Sequence, residues 1–441
     1  IKMFKETSKE LLDFLSKSPT AFHAVENYRQ ILNADGFEEL LESEHWNIVP
    51  GGKYYVTRNN TSILAFKVGT KLDNYSFNIV TSHTDSPTFK VKENAEIEVK
   101  NKYTQLNTEG YGGMLCATWL DRPLSIAGRV LVSEGNSIVT KLLNIDRDLL
   151  MIPNVAIHMN RAANDGFKYN LQVDMLPLLS AGDDRQKDFK QIIADELGVK
   201  KEDILGHDLY LYNRMAPSIW GANEEFISAG HLDDLQCGFA SLKALLAGYN
   251  DESIDIMACF DNEEVGSGTK QGADSTLLRD TLTRINSALG KTEEDYHRAL
   301  ASSFMLSADN AHAVHPNHPE HTDATNCTYM NEGVVVKSHA GQKYTSDGVS
   351  MAVVKALASG ADVPLQYFAN RSDKAGGSTL GNIAMAQASM NAVDIGLPQL
   401  AMHSSYETAG IKDTYYAITL MKALFDSHIQ ETSTHSLEIK R

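Results

Sequence analysis

The sequence predicts an α/β fold in which a β-rich segment interrupts the chain that builds the main sheet. Three observations carry this. Short apolar runs that stop at polar residues recur, as strands buried on both faces do: Phe77-Asn78-Ile79-Val80, Ile254 to Phe260, Phe304-Met305-Leu306 and Leu397 to Met402. From about Val91 to about Asn223 the pattern changes to short alternating segments, such as Ala95 to Val99 and Arg129 to Val132. After Phe226 strand-length and helix-length patterns alternate again. Residues 1–90 and 224–441 are therefore expected to form one domain in two parts, with residues 91–223 inserted between them.

The chain opens on two helices. Leu11, Leu12, Phe14 and Leu15 make one apolar face, Ser18-Pro19-Thr20 supplies a break and a cap, and Phe22, Val25, Tyr28, Ile31 and Leu32 follow at helical spacing up to Gly36. Ser62 to Phe66 reads as a strand leading towards His83. Within the insert, the polar stretch from Asp183 to Leu197 is helix-like. Leu235, Phe239, Leu242 and Leu246 mark one face of a helix opened by Asp233-Asp234, and Val363 to Phe368 reads as a further strand. The last helix is expected to bury Tyr415, Ile418, Met421, Leu424 and Phe425, and the polar tail after Asp426 to fray.

Composition narrows the function. The 441 residues are 42% hydrophobic and 22% charged, as in an ordinary globular protein with a large core. A formal net charge of −17 excludes the basic footprint of a nucleic-acid binder. It also requires any acidic substrate to be drawn in by a local basic pocket. No apolar run approaches the ~20 residues that span a bilayer, and the residues from Ile1 to Glu6 lack a signal-peptide core. The four cysteines, Cys116, Cys237, Cys259 and Cys327, form no C-x-x-C pair and read as free thiols of a reducing compartment. A cytoplasmic protein is the expectation, with neither a membrane nor a nucleic-acid partner.

The apolar runs end in chemistry. In open α/β sheets working residues gather at the carboxyl ends of strands. There this chain places His83, the pair Glu263-Glu264, Asp309 and His403. His, Asp and Glu collected from distant segments point to hydrolysis at a metal centre. His83 and Asp85 are two apart and share a face on a strand, which suits a ligand and its orienting carboxylate. Glu263 and Glu264 must point apart, so one holds a metal while the other takes a proton from the attacking water. Asp233, at a helix start, is either an N-cap or a ligand whose two oxygens bridge two cations.

Taken singly, each of these residues has a plain structural role, and the coincidence of all five positions is the signal. Two other patterns carry less. His312, His315, His318 and His321 recur every three residues, but Pro316 and Pro319 forbid one regular helix, so a loop is expected, with His312 near the site and the rest solvated. Gly266-Ser267-Gly268-Thr269-Lys270 does not fit a phosphate loop and reads as a tight turn beside the glutamates.

Several segments resemble the aspartyl aminopeptidase family of dizinc metallopeptidases. They are Thr81 to Pro87, Asp261 to Ser267, Ser307 to Asn317 and Leu400 to Ser404. Tyr111-Gly112-Gly113, Trp119 to Arg122 and Ile152 to His158 are similar to that family's dimerisation domain. The resemblance implies a mixed-sheet zinc-peptidase catalytic domain, helices on both faces, interrupted by a β-rich dimerisation domain. It implies two Zn²⁺ per subunit, one held by His83 and Asp309, the other by Glu264 and His403, with Asp233 bridging. Co²⁺ or Mn²⁺ would also suit such donors. Glu263 would be the general base and Asp85 the support of His83. His312, Lys337 and Tyr344 would line the substrate pocket, and His158 would reach a neighbour's active site within a dodecamer built from dimers.

The implied activity is release of a single N-terminal residue, Asp or Glu, from peptides. Lys374 to Thr379 and Ser404 to Glu407 depart from relatives with firm acidic preference, which leaves neutral specificity as the alternative. An N-acyl amino acid deacylase on the same site is a second alternative. A non-enzymatic scaffold fits poorly with a complete ligand set.

Overall fold

The computed structural model describes residues 1–185 and 188–441. Its centre is a nine-stranded mixed sheet. In spatial order the strands are Glu38–Leu40, Lys53–Arg58, Ser62–Val68, Ser253–Phe260, Ser76–His83, Phe304–Ala308, Asn391–Gly396, Val334–Lys337 and Leu365–Phe368. The middle four, from Ser253–Phe260 to Asn391–Gly396, run parallel. Their carboxyl ends therefore lie on one edge, and Phe260 pairs in register with His83.

Helices cover both faces, which is why the central strands read as unbroken apolar runs. Alternate residues serve opposite layers. Val80, Met257 and Leu306 pack towards Lys2–Ser16, Ala21–Ala34, Leu232–Ala247, Gly348–Ala361 and Asp413–Phe425. Ile79, Ile256 and Met305 pack towards Leu277–Ala288, Glu293–Ser302 and Leu380–Ala384. The N-terminal pair forms as its pattern requires, with the Thr20 side chain capping the second helix through the His23 amide. In the last helix Met421, Leu424 and Phe425 are buried, but Tyr415 and Ile418 are only half-buried.

A second, six-stranded antiparallel sheet has the order Ser137–Asn144, Leu124–Glu134, Ile204–Asn213, Thr88–Val99, Tyr103–Tyr111, Leu178–Ala181. It has its own core, built around Phe89, Trp119, Leu124, Ile126 and Leu209. The helix-like stretch from Asp183 begins its helix only at Phe189, capped by Asp188, and Gln186 and Lys187 lie outside the described residues. A third sheet joins Ser218–Trp220, Phe226–Ala229, Glu407–Gly410, Pro398–Leu400 and Ala311–His312.

Two expectations need correction. The run before His403 is not a central strand: it stops at Leu400 in the third sheet, and a loop with Ala401 and His403 at φ 55° and 71° carries the histidine onward. The tail after Asp426 does not fray. His428–Ser433 and Ser436–Lys440 form a hairpin, anchored by buried Ile429 and by the His428 ring beside Ser253. Among the described residues no helix is long and apolar enough to cross a membrane.

Candidate metal centre

Three central strands deliver their ends to one point. His83 is the last residue of its strand, Asp309 follows Ala308 directly, and Glu263-Glu264 begin a 3-10 turn just beyond Phe260. Asp233 arrives from the other side. Asp233 and Asp234 have non-helical backbone angles, so regular helix starts only at Leu235 and Asp233 is no ordinary cap. Non-glycine residues with positive φ flank the site: His231 at 64°, Asn262 at 61° and His403 at 71°. Such backbone is costly and persists where the surroundings over-determine it, often at working sites.

The side chains converge in two groups that share one carboxylate. Asp233 Oδ1 lies 3.3 Å from His83 Nε2, and its Oδ2 lies 3.2 Å from His403 Nε2. Asp309 Oδ1 is 3.4 Å from His83 Nε2, and Glu264 Oε2 is 3.3 Å from His403 Nε2. Glu263 Oε2 stands 3.6 Å from His83 Nε2. Each shared group, His83–Asp233–Asp309 and Asp233–Glu264–His403, has its donor atoms within 4.8 Å of one another.

This set fits divalent cations. His83 Nε2, Asp233 Oδ1 and Glu264 Oε1 are buried and make no good protein hydrogen bond, although buried polar atoms rarely go unpartnered. Both histidines spend Nδ1 elsewhere, His83 on the Asp85 carboxylate at 3.1 Å and His403 on the Gly113 carbonyl at 2.9 Å. In the neutral rings that leaves each Nε2 lone pair facing the centre. Among the protein groups alone, burial lowers the His403 pKa, but hydrogen bonds to Asp233 and Glu264 outweigh it and push the value up to about 11. Burial pushes the Glu263 pKa up to about 9, with Asp309, Glu264 and Asp233 adding to the effect, and burial likewise raises Glu264 to about 7. Four acids packed this closely call for positive charge among them.

An outer layer holds this geometry. The Asp85 carboxylate also accepts from the Tyr111 hydroxyl at 2.6 Å, the Glu263 amide at 3.2 Å and the Glu264 amide at 3.0 Å. Buried Asp234 accepts from the His83 amide at 3.1 Å. Glu407, 2% exposed, accepts from the Asp233 amide at 3.1 Å, the His403 amide at 2.9 Å and Gln399 Nε2 at 2.7 Å. Sequence reasoning missed Glu407 and gave Tyr111 no role at the centre. The contacts that tie them to the centre run to backbone amides and to Asp85, 26 residues from Tyr111, which no sequence period encodes.

The centre opens into a cleft of about 320 Å³. Its lining brings Asp233, Glu263, Glu264, Asp309 and His403 together with His312, Lys337 and Tyr344. Lys337 is buried and donates to the carbonyls of Asp309 at 2.5 Å and Asn310 at 3.0 Å, with its Nζ 5.6 Å from the Tyr344 ring centre. Desolvation by the cleft walls, then the Lys337 charge, lowers the His312 pKa and favours a neutral ring. His158 is not in this chain's cleft; it stands exposed on the turn Ile157–Met159, beside the six-stranded sheet.

Comparison with known proteins agrees in sequence and fold. Residues 14–425 match the family described as aminopeptidase I zinc metalloprotease (M18). The chain is 48% identical over 425 residues to a probable M18 family aminopeptidase 2 of Clostridium novyi, covering 95% of this chain and 98% of that one. A homologue of the same description from Clostridium acetobutylicum is also 48% identical, over 93% and 96% of the two chains. Among solved structures, one described as the Ape4 and Nbr1 complex superposes with a TM-score of 0.92 at 35% identity, over 96% of this chain and 86% of that one. The mApe1 dodecamer of S. cerevisiae gives 0.84 at 28% identity, over 96% and 97%. The chain belongs to the M18 family of zinc metallo-aminopeptidases.

Proposed function

We propose that the protein removes a single N-terminal residue, Asp or Glu, from peptides at a pair of zinc ions. One observation carries this reading: two donor groups share Asp233, and a spare carboxylate, Glu263, stands beside them at the mouth of the cleft. His83 and Asp309 would hold one ion, Glu264 and His403 the other, and Asp233 both. Bound there, the ions supply Lewis acidity, which eases ionisation of water and stabilises charge on the scissile carbonyl. Co²⁺ or Mn²⁺ would suit the same donors.

Glu263 acts as general base and acid. Its carboxylate stands 3.6 Å from His83 Nε2 and is spare to both donor groups, so it removes a proton from the attacking water and returns it to the leaving amine. Asp85 holds the His83 ring in place and, through two backbone amides, the turn that carries Glu263. The free α-amine is held among the carboxylates, which limits cleavage to the first residue. Lys337, with His312 and Tyr344, faces the side chain of that residue. Glu263→Gln should keep its metal content and lose turnover by about 10²–10⁴-fold. Near-normal turnover would remove Glu263 from the base role.

One observation favours a second specificity. Lys337 is already bonded to two carbonyls, and Phe368, Asn370, Ser378, Thr379 and Met402 add only neutral groups to the lining. Rates on Asp, Glu, Leu and Lys dipeptide amides, with and without chelator, decide between the two. Faster metal-dependent release of Leu would replace the acidic preference with a neutral one, and no release from any would overturn the aminopeptidase reading.

We further propose assembly as a dodecamer built from dimers, with His158 serving a neighbour's cleft. A 28%-identical relative described as a dodecamer supports this, as do Val155, Ile157 and Met159, apolar and exposed around His158. Light scattering on the purified protein tests it. Four free cysteines fit a cytoplasmic setting.

A further inference from the structure

His315, His318 and His321 lie outside the cleft, in a stretch broken by Pro316 and Pro319. Proline bars an α-helix there but suits the first position of a tight turn, which needs no donor from it. The chain makes two such turns in succession. The His318 amide donates to the His315 carbonyl at 3.0 Å and the His321 amide to the His318 carbonyl at 3.2 Å. The three imidazoles form a column with ring centres 5.7 Å and 5.2 Å apart, the second pair bracketing the 3-10 turn Pro319–His321 that follows His318. Glu320 closes the side of the column, with Oε1 3.0 Å from His318 Nδ1. Arg371 braces the turn from outside: it donates to the Glu320 carbonyl and pairs with Asp373 at 2.7 Å.

We propose that His318, Glu320 and His321 form a separate surface site for a divalent transition-metal ion of the imidazole-binding class, such as Ni²⁺, Zn²⁺ or Cu²⁺. One donor atom from each of the three lies within 4.8 Å of the others. Donors around a tetrahedral ion with bonds of about 2.0–2.1 Å stand roughly 3.3 Å apart. Rotation of exposed side chains covers that difference without moving the backbone. Two imidazoles with one carboxylate select such ions over Ca²⁺ or Mg²⁺, which prefer all-oxygen shells. His315 is excluded as a ligand. Its Nδ1 accepts from the Asn317 amide at 3.1 Å, so in the neutral ring the proton sits on Nε2. Solvent completes the coordination, and the ion exchanges freely.

The test is a difference between proteins. Wild type, His315→Ala, Glu320→Gln and the double variant His318→Ala/His321→Ala are each loaded with Zn²⁺, desalted to strip freely exchanging ions, and then titrated with Ni²⁺ by calorimetry. The expected result is one Ni²⁺ site in wild type and His315→Ala, about tenfold or more weaker in Glu320→Gln and absent in the double variant, with peptidase rates equal in all four. Equal uptake by wild type and the double variant would overturn the proposal, as would loss of the site in His315→Ala alone. Because only the difference is read, the outcome does not depend on what the cleft holds.

Discussion

Replacing Glu407 by glutamine tests whether a residue remote from substrate sets the grip on metal. The carboxylate receives three N–H donors on two oxygens: Asp233 at Oε1, His403 and Gln399 at Oε2. Glutamine keeps one acceptor oxygen and turns an NH₂ group towards at least one of those donors. A lost hydrogen bond to a charged group is worth about 1.5–3 kcal/mol, and a buried donor left unpaired adds about 1–3 kcal/mol. A total of about 2.5–6 kcal/mol shifts the Tm of a chain this long by only a few degrees. The strain falls on Asp233 and His403, so the larger effect is expected on metal: about 10–100-fold weaker binding. Competition against a chromophoric chelator measures it, with kcat and KM taken at saturating Zn²⁺. Excess metal should then restore much of kcat. If affinity stays unchanged while Tm drops, Glu407 is a fold-stabilising residue and the positioning argument fails.

Other outcomes follow from the same contacts. Tyr111→Phe removes the 2.6 Å bond to Asp85 and should weaken metal binding about tenfold with little change in Tm, read in the same chelator competition. Gly112 has φ 73°, and an added Cβ would stand 3.1 Å from Glu264 Cβ, so Gly112→Ala should lower stability by about 1–2 kcal/mol in denaturant melts and weaken metal binding in the chelator competition. His23 bears on pH. Burial lowers its pKa to about 4 from 6.5, so the unfolded chain binds the proton more tightly and stability rises with pH. That stability is fully present above pH 6.5 and is lost as pH falls towards 4, by about 3 kcal/mol at the lower end. His23→Gln should reduce the slope between those limits, with buried His231 keeping its own share, and an unchanged slope would refute the assignment.

Strands ending at His83, Phe260 and Ala308 were legible because burial on both faces forces continuous apolar runs. The run before His403 looked the same, yet its sheet is decided by pairing with Glu407–Gly410 and Ala311–His312, which no period encodes. Asn391–Gly396 went unseen for another reason. It carries Asp394 in mid-strand, made tolerable by donors from Thr345 and Thr379 at 2.5–2.7 Å. The donors of the centre could be read because His, Asp and Glu at strand ends are chemically conspicuous. Their supports were hidden, since a backbone amide has no letter of its own. The C-terminal hairpin was hidden by polar residues that alternate only weakly with Ile429, Leu437 and Ile439.

The strand Tyr103–Tyr111 of the six-stranded sheet supplies the hydroxyl that steadies Asp85, and the loop that follows it supplies the Gly113 carbonyl that receives His403 Nδ1 and the Leu115 amide that bonds the His403 carbonyl at 3.0 Å. A loop at the end of that sheet thus decides which nitrogen of His403 carries the proton in the neutral ring. By reciprocity, whatever holds that sheet in place would strengthen metal binding at this centre, and bound metal would in turn favour whatever holds the sheet. Metal binding and the contacts made by that sheet would then be two handles on one equilibrium.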